Sequence, residues 1–244
     1  MKIRLFSLCM LSLLGPVLTH AVPEQPVDLL PKIPKHVVFR PTFLTRDFSF
    51  TAGTGFLLDG KSDNSSFLVT VHHLFGPSGG LEKQIAGETI PLVFPRAVGF
   101  SFDPDPILLT TDEGVPVPDA RKGDDKGCEK DIALYRVRGW SANKSLELAK
   151  RPPIVGQKVW LVLRNIAKDD LLFAECVVAW QSATEVRYLL TNPNLLYSGA
   201  SGAPVVDAYG NVIGMHVGTF TAESGRKFGF GCPAAAIYAA LPND

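Results

Sequence analysis

The sequence has no excess charge of either sign, because Lys and Arg number 24 and Asp and Glu number 24 among 244 residues. A balanced chain creates no net field that would attract a polyanion. The composition therefore argues against a nucleic acid or an anionic membrane surface as a partner. The chain also lacks internal repeats, and 46% of its residues are hydrophobic. That share is enough to fill a core, so we do not expect disorder.

Cysteine is scarce. Cys9 lies in the N-terminal apolar segment, and the rest of the chain has only Cys128, Cys176 and Cys232. No C-x-x-C or Cys/His spacing indicates a metal site, so we predict no metal. Three is an odd number, and in an oxidising compartment one pair could form a disulfide and leave one thiol. The sequence does not indicate which pair this is.

The N-terminal apolar run, residues 5–18, is too short to cross a bilayer as a helix, and Lys2 and Arg4 precede it. This arrangement is typical of a secretory signal peptide. Small residues at 19–21 fit a cleavage site, so we expect residues 1–21 to be removed and the mature chain to begin near Val22. The protein would then be secreted or periplasmic, with no stable membrane insertion. An uncleaved anchor is the alternative.

Glycine and proline number 22 and 19, which together with the length favours an all-β barrel or sandwich. Residues 22–35 are rich in proline and read as an extended arm, with the folded part at 36–244. Helices are predicted only at residues 145–150 and at 234–241, where Pro233 can take the first helical position. Short apolar runs predict strands at residues 37–39, 55–58, 66–71, 90–94, 131–137, 158–163, 172–180, 187–191, 203–207 and 212–217.

Residues 199–204 read Gly-Ala-Ser-Gly-Ala-Pro and place Ser201 in a glycine-flanked turn. A serine hydroxyl acts as a nucleophile when it has a neighbouring base and donors for the developing oxyanion. Glycine lacks a Cβ, so its backbone can turn amide N–H groups toward a substrate carbonyl. By itself the hexapeptide fits a simple turn equally well, so its meaning depends on the rest of the chain.

Two other segments contain residues that could serve as the base and as the acid that pairs with it. Residues 69–73, Val-Thr-Val-His-His, end an apolar strand with His72 and His73, and an imidazole can accept a serine proton near neutral pH. Asp131 precedes the apolar run Ile-Ala-Leu, where a carboxylate is costly to bury unless it is paired. The alternative is that these are polar strand ends exposed to water.

In chain order these groups run His, Asp, Ser, and from about residue 48 onward the sequence resembles the trypsin-like (chymotrypsin-fold) serine peptidases. Residues 53–58, Gly-Thr-Gly-Phe-Leu-Leu, resemble the opening strand of many bacterial members. Residues 69–73 resemble their V-T-A-x-H motif, which selects His73 over His72. The resemblance implies two six-stranded antiparallel β-barrels, at about 36–140 and 156–232, and a short C-terminal helix at about 234–241.

The resemblance also implies roles for the site residues. Ser201 would be the nucleophile, His73 the general base, and Asp131 the group that orients the imidazole. The backbone N–H groups of Gly199 and Ser201 would form the oxyanion hole. No cofactor is implied, and the partner would be a protein or peptide substrate. Ala200 departs from the Asp of animal digestive members, which puts activation by a new N-terminal amine in doubt.

The segment Ile-Gly-Met-His-Val-Gly, residues 213–218, resembles one in glutamate-cleaving bacterial serine peptidases and in picornaviral cysteine peptidases that cut after glutamine. By that resemblance His216 lines the P1 pocket, with Gly218 nearby, and selects Glu or Gln. Leu195 stands where arginine- and lysine-cleaving members carry an Asp. Leu196 stands where the glutamate- and glutamine-cleaving relatives often carry a hydroxyl.

The sequence thus predicts a secreted or periplasmic serine endopeptidase that acts through an acyl-enzyme. The alternative is a catalytically inactive peptide-binding protein on the same fold, which the complete set of three catalytic residues disfavours. An esterase on an unrelated hydrolase fold would show the chain order Ser, acid, His, whereas here the serine comes last. The oligomeric state and the role of the arm are left open.

Overall fold

The computed structural model describes residues 30–62, 65–124, 127–140, 145–165 and 170–243. The predicted signal peptide and residues 22–29 of the arm lie outside these residues. Within the described part of the chain, no helix is both long enough and apolar enough to cross a membrane. Strands dominate, as the sequence predicts, and they form an N-terminal sheet and a C-terminal barrel.

The N-terminal sheet has eight antiparallel strands, which are β1 (Val38–Leu44), β2 (Ser49–Thr51), β3 (Gly55–Asp59), β4 (Ser66–Thr70), β5 (Arg96–Ser101), β6 (Leu108–Thr110), β7 (Glu113–Val115) and β8 (Ala133–Val137). They pair in the order β6-β5-β1-β3-β4-β8-β7, and β2 is added beside β1. The prediction of a closed six-stranded first barrel is not met, because β6 and β7 lie at opposite ends of this order. The Thr111 amide donates to Ala97 O beside β5, whereas the Asp112 amide donates to Arg136 O in β8. The segment that could close the sheet therefore splits into two short strands.

The C-terminal half forms a closed six-stranded antiparallel barrel of β9 (Lys158–Asn165), β10 (Asp170–Gln181), β11 (Val186–Leu190), β12 (Pro204–Val206), β13 (Val212–Thr221) and β14 (Lys227–Pro233). The strands follow the order β10-β11-β14-β13-β12-β9, and β9 pairs with β10 to close the barrel. This part of the predicted fold is confirmed. A short helix, α2 (Ala234–Ala240), follows the last strand as predicted, although Pro233 ends β14 and precedes the helix.

Two local predictions are wrong. Residues 90–94 form no strand but a single helical turn, α1 (Ile90–Val93), with Pro91 in the first turn. Residues 145–150 form no helix, because Leu146 bridges to Leu58 and Leu148 bridges to Val212. Tertiary pairing here overrides a weak local preference. The sequence patterns also missed β2, β5, β6, β7 and β14, most of which are short.

An aromatic cluster in the N-terminal sheet holds the segment that follows β4. Phe75 is fully buried and lies 4.5 Å from Phe43 and 5.5 Å from Phe94 between ring centroids. It ends a 3-10 turn, His72–Phe75, and two further 3-10 turns follow at Pro77–Gly79 and Gly87–Thr89. Burying a phenylalanine side chain contributes about 2–3 kcal/mol. Phe75 therefore anchors both histidines of this turn against the core.

Candidate active site

His73 and Asp131 meet where two neighbouring strands end. Thr70 at the end of β4 pairs with Ala133 at the start of β8, which brings the residues beyond them together. His73 Nδ1 lies 2.8 Å from Asp131 Oδ2, and the His73 backbone N–H donates to Oδ1 at 2.8 Å. The carboxylate accepts a hydrogen bond from the Nδ1–H group, so Nε2 is left as the basic atom of the ring.

Asp131 is completely buried, so its carboxylate needs partners. Besides the two contacts with His73, its Oδ2 accepts the backbone N–H of Gly123 at 3.0 Å. Three donors thus satisfy the two oxygens and hold the plane of the carboxylate. This arrangement fixes the imidazole of His73 in one orientation.

His72 lies in a different environment. Its Nε2 is 2.8 Å from Ile85 O, and burial lowers the pKa of the ring. Its Nδ1 is buried with no hydrogen-bond partner among the described residues. The structure therefore places His73, and not His72, against Asp131. Both residues lie on a 3-10 turn, since the strand predicted to run to residue 71 ends at Thr70.

Ser201 lies in a turn that is held between the two halves of the molecule. Gly202 has φ +89°, and a Cβ there would lie 2.0 Å from Thr54 O, so only glycine fits this close approach. The Gly202 N–H donates to His216 O in the barrel, and the Thr54 N–H donates to Ser201 O from the N-terminal sheet. The absence of a Cβ at Gly53 also lets Leu74, next to His73, and the Ser201 carbonyl approach the same point.

The Ser201 hydroxyl does not donate to His73. Its Oγ donates to Val217 O at 3.3 Å, and no hydrogen bond to His73 is present among the described residues. Catalytic hydrogen bonds are often formed only in the substrate complex, and a serine hydroxyl changes partner by rotating about one bond. The structure thus joins two of the three predicted catalytic residues directly and places the third on an adjacent turn.

The backbone around Ser201 offers donors without partners. Within the described chain, neither the Gly199 N–H nor the Ser201 N–H donates to a protein acceptor. The Thr54 hydroxyl donates to Gly199 O at 2.7 Å, which fixes the peptide plane after this glycine. The Thr70 hydroxyl in turn donates to Thr54 O at 2.7 Å. Both amides can therefore donate to a substrate oxygen.

Sequence reasoning missed Thr54 and Thr70 as supports of this turn. Both are buried, at 2% and 0% exposure, and each uses its hydroxyl on a backbone carbonyl. The signal was present, because both threonines lie in the two segments that carried the resemblance. Their partners are distant in the sequence, so no local pattern identifies them.

His216 is buried in the barrel beside Tyr188, another residue that sequence reasoning missed. The Tyr188 hydroxyl lies 2.5 Å from His216 Nδ1. Tyr188 on β11 is opposite Gly229 of β14, and His216 on β13 is opposite Gly231 of the same strand. A Cβ at Gly229 would lie 2.3 Å from the Tyr188 ring, so glycine in β14 makes room for this contact.

The protonation states in this pair follow from burial. Burial, and secondarily the neighbouring His73, lowers the pKa of His216 to about 3. Burial raises the pKa of Tyr188 well above its usual value. Near pH 7 the imidazole is therefore neutral and the phenol keeps its proton. The Tyr188 hydroxyl has no other acceptor among the described residues, so we assign it as the donor to His216 Nδ1. The single ring proton of His216 is then on Nε2.

The remaining predicted pocket residues are less closely placed. Leu195 is half-buried and packs against the barrel core that contains Tyr188. Leu196 is 70% exposed. Gly218 follows His216 on β13, where a Cβ would lie 2.9 Å from the Phe230 ring. Leu195 therefore lies against the core that contains Tyr188, Gly218 lies against Phe230, and Leu196 faces solvent.

Known proteins show similarity over most of the chain. Residues 53–215 match the family model of the trypsin-like peptidase domain. No curated protein sequence matches. The MamO protease domain from Magnetospirillum magneticum is 19% identical, with a TM-score of 0.51 over 86% of this chain and 98% of that chain. The Rv3671c protease from M. tuberculosis is 15% identical, with a TM-score of 0.52 over 94% and 93% of the two chains.

A serine endoprotease from Yersinia pestis is 14% identical, with a TM-score of 0.52 over 84% of this chain and 61% of that chain. At such identities the solved structures show the fold alone, whereas the family model covers more than half of the sequence. The chain therefore belongs to the family of trypsin-like peptidase domains, and it is a serine endopeptidase.

Proposed function

We propose that Ser201, His73 and Asp131 form the catalytic triad of this peptidase. The observation that carries the proposal is the buried Asp131, which accepts both the ring and the backbone N–H of His73. His73 Nε2 takes the hydroxyl proton while Ser201 Oγ attacks the scissile carbonyl. The proton then passes to the leaving amine, the acyl-enzyme forms, and water releases the acyl group by the same steps.

The Gly199 and Ser201 N–H groups stabilise the oxyanion in this proposal. Two observations support this role. Neither N–H donates a hydrogen bond to the described part of the protein, and the Thr54 hydroxyl holds the turn through Gly199 O. Removing one such donor typically lowers the rate on the order of 10²–10³-fold. Because backbone donors are unaffected by side-chain changes, their contribution is tested by altering the turn itself.

We also propose that the enzyme cleaves after glutamine or glutamate, with glutamine preferred. His216 offers an N–H on Nε2 that can donate to a side-chain oxygen of the P1 residue. With a pKa of about 3, the ring carries no charge near neutral pH. The uncharged ring supplies no counter-charge to a P1 carboxylate, whose burial is costly when it is unpaired, whereas a neutral amide meets no such penalty.

The decisive experiment is labelling by a fluorophosphonate probe, with Ser201→Ala beside the native enzyme and Ser198→Ala as the matched control. Labelling should vanish in Ser201→Ala and persist in Ser198→Ala, since Ser198 is an exposed neighbour outside the triad. Labelling that survives Ser201→Ala would reject the assigned nucleophile. No labelling of folded native protein would favour the inactive peptide-binding alternative.

Cleavage-site mapping on a peptide library tests the P1 preference separately. Cuts after Gln, and more weakly after Glu, support the role of His216. Cuts after apolar residues would retain the triad but reject the pocket.

The compartment and the chain boundaries are also proposals. We propose a secreted or periplasmic protein whose mature chain starts near Val22, with an arm at 22–35 and the peptidase domain at 36–244. Within that domain, the first structural unit spans about 36–140 and the second about 156–232. N-terminal sequencing of protein recovered from the extracellular or periplasmic fraction tests the start. A chain that begins at Met1 would contradict it.

A further inference from the structure

Two of the three buried cysteines meet between the N-terminal sheet and the barrel. Cys128 lies in the turn that leads to Asp131, whose N–H donates to Cys128 O at 3.0 Å, and Cys232 lies in β14. Their exposures are 1% and 0%. The Cys232 thiol donates to Cys128 O and, at 3.5 Å, to Asp131 O. The Cys128 thiol donates to Thr184 O at 3.7 Å, and both cysteines are free thiols in the structure.

Cys176 is separate from this pair. Its thiol donates to Ala174 O at 3.3 Å within β10, and it packs in the barrel core. Cys128 and Cys232 instead belong to the other hydrophobic cluster, which includes the core of the N-terminal sheet. The packing therefore resolves the choice among three cysteines that the sequence leaves open.

We propose that Cys128 and Cys232 form a disulfide when the chain folds in the presence of a disulfide oxidant, and that Cys176 remains a thiol. One cysteine, as the thiolate, attacks an oxidant such as oxidised glutathione and releases one glutathione thiolate. The second cysteine then attacks this mixed disulfide and releases the other glutathione. The two cysteines lose two protons and two electrons, and the oxidant becomes two thiols.

Burial determines when this bond forms. Exchange requires an accessible thiolate, and both sulfurs are inaccessible in the folded protein. Burial also raises the pKa of Cys232 well above its usual value, which depletes the thiolate further. The bond therefore forms before β14 closes over the Asp131 turn, and protein that is already folded and reduced oxidises slowly.

The bond would connect the turn of Asp131 to the strand beside His216. Cys232 is paired with Met215, the residue before His216, and the cross-link joins positions 104 residues apart. Closing so long a loop restricts the unfolded chain strongly. The cross-link thus opposes separation of the sheet that carries His73 from the barrel that carries Ser201.

Peptide mapping tests the proposal without reference to activity. The full chain is expressed in an oxidising compartment, or refolded with oxidised and reduced glutathione, then alkylated in denaturant and digested with trypsin without reduction. Tryptic peptide 127–130, which contains Cys128, should be joined to peptide 228–244, which contains Cys232. Peptide 169–187, which contains Cys176, should carry the alkyl label.

Variants and stability complete the test. Cys176→Ser is the matched control and should retain the cross-linked peptide, whereas Cys128→Ser should leave Cys232 alkylated. Protein refolded without a disulfide oxidant should have a Tm lower than that of the oxidised protein by an amount on the order of 10 °C, because no cross-link restricts its unfolded chain. Alkyl label on all three cysteines after oxidative refolding, or Cys176 found in the cross-link, would overturn the proposal. Either result leaves the catalytic assignment unaffected.

Discussion

Replacing Tyr188 by phenylalanine tests the role of the buried pair in the barrel. The change removes one hydroxyl, whose contact with His216 Nδ1 is 2.5 Å, and leaves the ring in place. A buried acceptor that loses its donor costs about 1–3 kcal/mol. For a chain of this size, we expect Tm to fall by roughly 3–10 °C.

The same change should impair recognition of the P1 residue. Without the phenol, the proton of His216 is free to move to Nδ1, and Nε2 no longer presents a fixed donor. Losing a buried hydrogen bond to substrate lowers kcat/KM for a P1 Gln peptide by about 5–100-fold. The value for a P1 Leu peptide should stay within about twofold of native.

Tyr135→Phe provides a matched control, because here the loss of a hydroxyl should not lower stability. The Tyr135 hydroxyl is also buried, but it has no hydrogen-bond partner among the described residues. Its removal should leave stability unchanged or raise it by up to about 1 kcal/mol. Thermal unfolding and steady-state kinetics on both variants decide the matter. Equal losses on Gln and Leu substrates in Tyr188→Phe, or no loss on Gln, would refute the reasoning.

Three further predictions concern the same region. The folded-state pKa of His216 is lowered from 6.5 to about 3, so between these pH values the unfolded chain binds a proton on this ring and the folded chain does not. The stability contributed by the neutral ring is complete above pH 6.5 and is lost as pH falls toward 3, and the loss is about 2 kcal/mol at pH 5. In thermal unfolding, the Tm of His216→Gln should therefore fall less steeply with decreasing pH than the Tm of the native protein. Asp131→Asn should lower kcat about 10⁴-fold, measured with the mapped substrate, and a loss under tenfold would contradict the triad. Gly202→Ala should fail to fold or lose most of its stability, because its Cβ meets Thr54 O. At Gly199 a Cβ meets no atom within 4 Å but is strained at φ +78°, so Gly199→Ala should fold with reduced stability and impaired activity. Circular dichroism and probe labelling distinguish the two variants, and a stable Gly202→Ala would count against the described turn.

The sequence could predict the residue types that carry the chemistry but not all of their supports. Motif spacing selected His73 over His72, and the structure places His73 against Asp131. Tyr188 escaped notice because its partner lies 28 residues away on a strand that is not its neighbour. A periodic pattern reports which face of a strand is buried, but it does not report what lies opposite.

The elements of the fold also differ in how far the sequence could predict them. Long apolar strands of the barrel were predictable, and they close as expected. The short strands β6 and β7 were not, because three residues are too few to show a period. Residues 145–150 suggested a helix, yet the pairing of Leu146 with the first sheet and of Leu148 with the second determines an extended conformation. Long-range pairing thus decided the elements whose local signal was weakest.

The double pairing of residues 146–149 has a consequence for unfolding. Leu146 N–H donates to Leu57 O in the N-terminal sheet, while Ala149 N–H donates to Val212 O in the barrel. The segment is therefore an additional strand-like partner of both halves. Neither half can melt without breaking its hydrogen bonds to a segment that the other half holds in place. This arrangement couples the halves energetically, so the protein should unfold in one cooperative transition rather than in two.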